Sequence, residues 1–419
     1  MKILVLTEAY PPHHSGGYEL RCSDVLEGLK EKGHSIVVLT NRCPHPKCTL
    51  HPFEEGIKRI LHLRQDAGSV FTQIRWDCMD LRYIDKFVGQ YAPDMIYLWH
   101  IQNLSNAILP YFSNRSIPIV YDEGGSGLIH LFRVYQRGLY FYKNEEDRFL
   151  KKLLKEWVYR ISRFVSFNLI NPEWHWPENM RIYFNSNASK ENTLSHGVEV
   201  NQAAVIPSGI DISKFPFQNH NRPGNPIKII VPSRIKKEKG IQDVVCLALK
   251  LREKGISVEI TIVGKVQSFE YYSEIQQSIR ENGIGNAITF STMVDQEHLS
   301  RLYRDNDFCF FPSYFKSGFS RVPLEAMASG CPVVSYGNEG SGEIIWDWEN
   351  GFVVEEGNLT AVEKIITNLR ESPEKYQAIS RKARMMVESK FLMSQYIEKI
   401  EKFLIESRRQ SIDFLNMEQ

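Results

Sequence analysis

Short apolar runs rich in β-branched residues alternate with longer helical patterns along most of the chain, and this alternation limits the folds that it can adopt. Runs such as residues 2–7 and 227–231 are apolar on both faces, which is typical of parallel strands covered by helices. Helical periodicity lies between the runs, for example over residues 20–32 and 242–254. Because successive parallel strands need crossover connections, the pattern predicts doubly wound α/β sheets.

The alternation begins twice, at Lys2 and again at Ile227, with a polar segment between the two series. Residues 207–226 are rich in Gly, Pro and Asn, as interdomain linkers are. The sequence therefore predicts two doubly wound domains joined near this segment. The predicted strands are residues 2–7, 35–40, 95–98, 118–121 and 181–185 in the first domain, and 227–231, 258–264, 287–290, 308–311, 332–335 and 352–354 in the second.

The composition argues against several classes of protein. The chain of 419 residues contains 24% charged residues and has a net charge of +1, whereas a general nucleic-acid binder carries a basic surplus. No stretch of about 18 apolar residues occurs, so we predict no membrane-spanning helix. The apolar run at the N-terminus is too short for a signal peptide, and the 7 scattered cysteines do not suggest a disulfide framework. We therefore predict a cytoplasmic protein with no nucleic-acid partner.

Cys43 and Cys48, with His45 and His51 nearby, are the one cluster that suggests a metal site. No second ligand pair follows at the spacing of zinc sites, so a loop with free thiols is the favoured interpretation. We predict neither a metal site nor a cofactor.

One basic segment, residues 128–163, does not fit the alternation. It contains nine Lys or Arg residues, four acidic residues and eight aromatic residues, which gives a net charge of +5 from nine minus four. Such a segment is suited to an anionic acceptor or to peripheral contact with the inner face of a membrane. The alternative is an ordinary amphipathic helical insertion with a solvated basic face.

A loop between a predicted strand and a helix at about residues 322–329 carries the strongest signal for a binding site. The loop has the sequence Ser317-Gly318-Phe319-Ser320 and delivers backbone N–H groups at a helix start, which attracts anions. Gly318 allows the main chain to approach a phosphate closely. Glu325, one turn into the helix, is placed to accept hydrogen bonds from the vicinal hydroxyls of a ribose. The element is therefore a candidate site for a nucleoside diphosphate, although any α/β protein has a capped helix after a strand.

Two cations follow the predicted strand 227–231. Arg234 lies at the carboxyl end of that strand, where open α/β sheets bind ligands, and Lys239 follows five residues later. Together they are suited to neutralise a diphosphate that departs with negative charge. The alternative for such a basic stretch is a solvated loop.

Two further candidate sites follow strands of the first domain. Gly16 and Gly17 belong to a glycine-rich loop after the first strand, but the loop lacks the spacing of a dinucleotide site. Asp122 and Glu123 are adjacent carboxylates at the end of the strand 118–121. A site role competes there with a turn whose Asp caps a helix.

Taken together, these stretches resemble the retaining glycosyltransferases of family 4, which have the GT-B fold. The resemblance covers nearly the whole chain and is most specific between Pro312 and Val334. The matching residues are Gly16 and Gly17, the run from Leu29 to His34, Asn185-Ser186, Gly197, the run from Val205 to Asp211, Phe215, Arg234, Lys239-Gly240, Val263-Gly264, Pro312-Ser313, Gly318-Phe319, the run from Leu324 to Val334, and the run from Gly351 to Val354.

The resemblance implies two Rossmann-like domains facing a cleft. Residues 1–206 would bind the acceptor, residues 207–226 would be the linker, and residues 227–391 would bind the nucleotide sugar. A final helix at about 392–419 would pack back on the first domain. The implied reaction moves a hexose from a UDP- or GDP-linked donor, with retention at the anomeric carbon and without a metal. The acceptor, whether a sugar, a lipid-linked molecule or a small molecule, is not identified.

Two positions depart from the family pattern. The family has two glutamates separated by seven residues; here Glu325 matches the second, whereas Ser317 stands at the first. The histidine that often ends the family's strand is replaced by Asp122 or Glu123. We predict an active enzyme in which Asp122 carries part of the sugar-binding or catalytic role. The alternative is a catalytically silent subunit that binds a nucleotide sugar or a partner enzyme.

The predicted site residues form two sets. The catalytic set is Asp122, Arg234 and Lys239. The donor-binding set is Gly16, Gly17, Arg234, Lys239, Gly264, Val294, Ser317, Gly318, Phe319, Ser320, Leu324 and Glu325.

Overall fold

The computed structural model describes residues 1–13, 16–42, 55–113, 115–136, 157, 179–200, 203–219, 223–292 and 294–417. The chain divides into two compact units. Unit 1 consists of Met1–Asn185, Lys190–Ile206 and Ile397–Gln419, and unit 2 consists of Ser186–Ser189 and Pro207–Tyr396. Each unit contains one parallel sheet with helices around it, so the predicted α/β class with two Rossmann-like sheets is confirmed.

Unit 1 is built on a seven-stranded parallel sheet. Its strands are β1 (Lys2–Leu6), β2 (Ser35–Asn41), β3 (Ile57–Leu61), β4 (Met95–Leu98), β5 (Ile119–Glu123), β6 (Met180–Phe184) and β7 (Ala204–Val205). They lie in the order β3-β2-β1-β4-β5-β6-β7. The five strands predicted for this domain are present, and the sequence prediction missed β3 and β7. Both are edge strands; β3 has Lys58 and Arg59 at its centre, and β7 has two residues.

The helices described in the N-terminal half lie between successive strands in the sequence. They are α1 (Gly17–Glu31), α2 (Val70–Tyr91), α3 (Ile108–Ser113), α4 (Gly127–Gln136) and α5 (Asn187–Ser195). The Ser69 hydroxyl caps α2 by accepting a hydrogen bond from the Thr72 amide at 3.2 Å, which satisfies an N–H group left open at the helix start. The core contains Leu4 and Leu98 from the strands and Phe112 from α3, all fully buried.

Unit 2 is built on a six-stranded parallel sheet. Its strands are β8 (Ile227–Pro232), β9 (Val258–Val263), β10 (Ile288–Ser291), β11 (Phe308–Phe311), β12 (Val333–Ser335) and β13 (Phe352–Val353). They lie in the order β10-β9-β8-β11-β12-β13, and all six strands predicted for this domain are present. The strand order reverses between β8 and β11, and the carboxyl ends of the strands at such a switch point border the crevice where α/β sheets bind ligands.

The helices of unit 2 alternate with its strands. They are α6 (Ile241–Glu253), α7 (Phe269–Glu281), α8 (Gln296–Asp305), α9 (Arg321–Ser329), α10 (Ser341–Ile344), α11 (Leu359–Glu371) and α12 (Pro373–Lys390). The Asp295 carboxylate caps α8 by accepting a hydrogen bond from the His298 amide at 2.7 Å. One core, with Ile229, Leu247 and Phe310 fully buried, lies between the sheet and these helices.

The segment that precedes β8 packs on unit 2. Ile210 and Phe215 are fully buried, and the Phe215 ring lies edge-on to the Tyr303 ring of α8. Ile210 also forms a β-bridge with Leu392. Residues 207–219 are therefore anchored by apolar contacts within this unit.

The last helix, α13 (Met393–Met417), belongs to unit 1 from Ile397 onward. The Ile397 side chain occupies the space where a side chain at Gly28 of α1 would lie. The Glu401 carboxylate forms an ion pair with Lys32 and a hydrogen bond with the His34 ring, both at 2.9 Å, and Arg408 forms an ion pair with Asp94 at 2.7 Å. The chain thus returns to its N-terminal sheet after completing unit 2.

Candidate functional site

The loops that follow β8 and β11 lie against each other at the switch point of unit 2. The Tyr314 amide donates a hydrogen bond to the Glu238 carbonyl at 2.9 Å. Gly240, with a φ of +68°, is so close to the Pro312 carbonyl that a Cβ atom would overlap it. The glycine that follows Lys239 is therefore required by this close approach of two main chains. The contact brings Lys239 beside Ser313.

Lys239 is a buried cation with one carboxylate against its ammonium group. The residue is 6% exposed, and its Nζ atom forms an ion pair with Glu339 and lies 3.5 Å from the Ser313 hydroxyl. The Phe315 ring centroid is 5.5 Å from Nζ. Burial lowers the pKa of Lys239, the Glu339 carboxylate opposes that shift, and the nearby charges of Arg234 and Lys236 add to it. This environment is typical of functional lysines.

Arg234 is exposed and is close enough to Lys239 to affect its pKa. Its main chain is held by the neighbouring strand, because the Ser233 amide donates to the Val263 carbonyl at 2.8 Å. Gly264 follows that strand, and a Cβ atom at this position would overlap the Ser233 carbonyl. Arg234, Lys239 and Gly264 thus lie near the carboxyl ends of β8 and β9.

The loop Ser317-Gly318-Phe319-Ser320 is fixed by serines at the start of α5, which belong to the same unit. The Gly318 amide donates to the Ser189 hydroxyl at 2.6 Å, and the Gly318 carbonyl accepts from the Ser186 hydroxyl at 2.8 Å. Gly318 has a φ of +96°, a conformation that favours glycine. Ser317 is buried, and its hydroxyl lies 3.3 Å from that of Ser189.

Two amides of this loop are already engaged inside the protein. The Gly318 amide donates to Ser189, and the Ser320 amide donates to the Glu339 carbonyl at 2.9 Å. The sequence prediction that these amides face a phosphate did not include these partners. An anion at this helix start would have to displace them or use neighbouring groups.

Glu325 lies one turn into α9, as predicted, and is 7% exposed. Its carboxylate accepts a hydrogen bond from the Tyr303 hydroxyl at 3.1 Å, and Arg321 approaches it at 3.4 Å. Burial, and then the negative charge of Glu325, raise the pKa of Tyr303 well above its usual value. Tyr303 therefore remains a hydrogen-bond donor that orients this carboxylate.

Several predicted donor residues are packing residues here. Leu324 is fully buried in a core cluster, which Val294 and Phe319 contact from partly buried positions. Leu324 is consequently not available for direct contact with a ligand. Its role in this geometry is to hold α9 against its unit, and so to place Glu325.

Glu339 is the site residue that sequence reasoning missed. It lies in the loop after β12 with a φ of +51°, and its carboxylate accepts hydrogen bonds from Lys239 and from the Ser313 hydroxyl. Asn338 ties the same loop to the Ser313 carbonyl at 2.7 Å. No local signal marks Glu339, because its partner Lys239 lies 100 residues away in the sequence.

In unit 1, Asp122 is buried within a network of donors. Arg21 donates to its carboxylate at 2.5 Å, Tyr18 donates at 2.8 Å, and Tyr183 also donates to it. The Arg21 guanidinium also lies over the Tyr18 and Trp99 rings. The carboxylate charge is thus balanced inside unit 1, which favours a positioning role over direct contact with a sugar.

Glu123 caps the start of α4. Its carboxylate accepts hydrogen bonds from the amides of Gly125, Gly127 and Leu128 at 2.8–3.0 Å. Burial raises the pKa of Glu123 to about 7, although these amides act in the opposite direction. The capping role that the sequence allowed for Asp122 therefore belongs to its neighbour.

The remaining predicted positions are less informative. Gly16 and Gly17 begin α1 with open space around them, and the Gly16 amide donates to the Glu19 carboxylate at 3.1 Å. Of the basic segment 128–163, only residues 128–136 and 157 are described. Cys43, Cys48, His45 and His51 lie outside the described residues.

The described residues contain neither a cluster of metal ligands nor a helix that could span a membrane. No group of three or more His, Cys, Asp or Glu side chains in that part of the chain is arranged to hold a metal ion. Among the same residues, no helix combines the length and apolar character needed to cross a membrane.

Two family descriptions match consecutive parts of the chain. The family "Glycosyltransferase Family 4" matches residues 15–214, and the family "Glycosyl transferases group 1" matches residues 213–386. A curated relative, the glycogen synthase of Mycobacterium tuberculosis, is 22% identical over 413 residues, which are 93% of this chain and 91% of that protein.

Two solved structures are similar over nearly the full length. HepE of Anabaena, solved in complex with UDP, has 20% sequence identity and a TM-score of 0.67, covering 97% of this chain and 100% of that one. Sucrose-phosphate synthase of Thermosynechococcus elongatus has 16% identity and a TM-score of 0.70, covering 97% and 98%. At these identities the likeness establishes the fold.

Proposed function

We propose, on the premise that the chain belongs to the family 4 glycosyltransferases and has their GT-B fold, that it moves a hexose from a UDP- or GDP-linked donor to an acceptor with retention of the anomeric configuration. The observation that carries the proposal is the pair of cations at the switch point of unit 2. Lys239 is buried beside Ser313, and exposed Arg234 is near it at the end of β8. A negatively charged ligand such as a diphosphate would account for two cations at this place.

The donor is proposed to bind unit 2 through both halves of its nucleotide. Arg234 and Lys239 would contact the diphosphate, where their positive charges oppose its negative charge. Glu325 would accept hydrogen bonds from the ribose hydroxyls, held in place by Tyr303. HepE of Anabaena was solved with UDP, which supports a uridine nucleotide as the first donor to test.

The proposed chemistry is a displacement at the anomeric carbon on the face from which the diphosphate departs. The acceptor oxygen bonds to the anomeric carbon, the bond from that carbon to the phosphate oxygen breaks, and the acceptor proton passes to a phosphate oxygen. Negative charge grows on the diphosphate as the bond breaks. Arg234 and Lys239 would stabilise that charge, which is the role that a metal ion has in other transferases.

Asp122 enters this proposal as a positioning residue of unit 1. Its three donors, Arg21, Tyr18 and Tyr183, connect the end of β5 to α1 and β6. The carboxylate would keep these side chains in place on the unit proposed to bind the acceptor. This role replaces the direct sugar contact predicted from the sequence, because the network occupies both carboxylate oxygens.

The acceptor is proposed to be lipid-linked or close to a membrane, on the strength of the net charge of +5 in residues 128–163. The test is sedimentation of the protein with anionic liposomes at low and high salt. We expect binding that falls as salt rises, and a variant with Lys151, Lys152 and Lys155 changed to Glu should bind less. Equal sedimentation with neutral and anionic liposomes would leave the segment as an ordinary solvated insertion.

A donor screen tests the proposed function. UDP- and GDP-linked hexoses are incubated with the protein, and release of UDP or GDP is measured with and without candidate acceptors. We expect turnover of one donor class; the anomeric configuration of any product, determined by proton NMR, then tests retention. If the folded protein binds no nucleotide sugar and releases no nucleotide, the proposal is wrong.

A further inference from the structure

Glu339 has a backbone conformation that is unfavourable for glutamate. Its φ of +51° lies in the left-handed region, where the described residues other than glycine include only Ala92, Glu339 and Trp348. A residue with a Cβ atom is less stable there than in the right-handed region, because its Cβ atom lies too close to the carbonyl oxygen that follows. Such strain persists where surrounding contacts fix it, and it is concentrated at functional sites. Gly340, the next residue, has a φ of +72°. A glycine at position 339 would adopt the left-handed conformation without strain.

The contacts of Glu339 explain what holds it in this conformation. Its carbonyl accepts a hydrogen bond from the Ser320 amide at 2.9 Å, which ties it to the loop before α9. Its carboxylate binds the Lys239 ammonium and the Ser313 hydroxyl. One residue thus joins the loops that follow β8, β11 and β12.

The charges around Lys239 show why its ammonium group needs the Glu339 carboxylate. Arg234 and Lys236 act on Lys239 from its own loop, and both disfavour its positive charge. Glu238, on the same loop, forms an ion pair with Lys236, and its charge also interacts with that of Lys239. From the loop after β11, Ser313 and the Phe315 ring face the ammonium, and neither carries charge. Glu339 is therefore the carboxylate that compensates the buried ammonium.

We propose that Glu339 is a positioning residue for the transfer reaction, which holds the Lys239 ammonium charged and aimed at the leaving diphosphate. An ammonium has three N–H donors. Glu339 takes one and Ser313 lies near a second, which leaves one for a phosphate oxygen. The inference rests on the proposed function, because it assigns a role to Lys239 on the diphosphate.

The position of Glu339 also bears on Ser317. The family pattern places a carboxylate at position 317, and this chain has a neutral serine there. Glu339 supplies a carboxylate from another loop of the same unit, and its main chain is bonded to the loop that follows Ser317. The site thus has a carboxylate on the loop after β12 instead of at position 317, and this carboxylate contacts Lys239.

Glu339→Gln tests this role because it keeps the size of the side chain and removes its charge. Burial lowers the pKa of Lys239 and the Glu339 carboxylate raises it, so removing that carboxylate should lower the pKa further. UDP affinity and donor turnover are measured from pH 6 to pH 9. We expect UDP affinity and turnover to be lost at a lower pH in the variant than in the wild type, with a loss of about tenfold at a fixed alkaline pH. Below that limb, UDP affinity should equal or exceed that of the wild type, because a repulsive charge is gone.

Glu238→Gln is the matched control. It removes a carboxylate of the same loop that forms its ion pair with Lys236 and acts on Lys239 only through charge, so the pH profile should shift less than it does in Glu339→Gln. Glu339→Gly is the second variant: it relieves the left-handed strain and removes the carboxylate. It should show the same alkaline shift as Glu339→Gln, whatever its effect on the melting temperature.

The outcomes separate this inference from the proposed function. If Glu339→Gln and Glu339→Gly melt differently from the wild type but keep its pH profile, Glu339 is structural and the inference is wrong. If Lys239→Ala also leaves UDP affinity and turnover intact, the assignment of Lys239 to the diphosphate fails as well. A loss with Lys239→Ala and no pH shift at position 339 overturns only the inference.

Discussion

The Tyr303 hydroxyl donates a hydrogen bond to the Glu325 carboxylate at 3.1 Å, from α8 to a residue one turn into α9. Both side chains are buried, so the carboxylate is held in one orientation before any ligand arrives. Glu325 is the residue that we assign to the ribose of the donor. The contact shows how a carboxylate one helical turn from the loop after β11 is kept in place.

Glu325→Ala should weaken UDP binding by about 1.5–3 kcal/mol, the range for a hydrogen bond to a charged group. Isothermal calorimetry on the folded variant measures it. Tyr303→Phe is the matched control, because it removes the hydroxyl that orients Glu325 and keeps the ring; it should weaken binding by less. Unchanged UDP and GDP affinity in Glu325→Ala would remove Glu325 from the site.

Arg234→Ala should lower turnover by about 100-fold or more, the usual effect of removing a group that stabilises transition-state charge. The melting temperature should stay within the error of the measurement because the Arg234 side chain is exposed. Lys237→Ala, an exposed lysine on the same loop, is the control and should retain turnover. An enzyme that requires a divalent ion and tolerates Arg234→Ala would contradict the proposed charge neutralisation.

Asp122→Asn should destabilise the protein by about 3–5 kcal/mol, because it leaves the Arg21 guanidinium buried without its carboxylate. Thermal unfolding measures the loss. Turnover is then compared well below the melting temperature, where a positioning role predicts a lower rate even in the folded fraction. A variant that melts and turns over like the wild type would show that the network has neither role.

Glu123 should make the protein less stable as the pH rises. Its pKa is about 7 in the folded protein and 4.5 in the reference state, so the folded protein retains the proton more strongly. The resulting stabilisation is complete below about pH 4.5 and is lost as the pH passes through about 7. Relative to Glu123→Gln, the free energy of unfolding should fall by about 3 kcal/mol across this window. Parallel stability curves for the two proteins would contradict the shift.

The sequence was sufficient to predict the sheets, because strands and helices alternate with clear local signals. It also placed Arg234, Lys239 and Glu325 at strand ends and a helix start, positions that the structure reproduces. Edge strand β3 was missed because charged residues at its centre interrupt the apolar run. Short edge strands carry too little local pattern to be separated from loops.

The contacts that define the site lie beyond local sequence patterns. Lys239 pairs with Glu339, Asp122 pairs with Arg21, and the Gly318 amide bonds to Ser189, across separations of 100, 101 and 129 residues. Each depends on which loops the topology brings together. Direct ligand contact was therefore predicted for Asp122 and for the Gly318 amide, whereas the structure gives both of them partners within the protein.

Lys239→Ala, assayed for nucleotide release from UDP- and GDP-linked hexoses, tests the central claim most directly. The proposed function predicts that the wild type releases nucleotide from one donor class. It also predicts that the folded variant loses about 100-fold or more of that rate, because a buried cation no longer meets the departing diphosphate. A folded Lys239→Ala protein that turns over the donor at the wild-type rate would contradict the account.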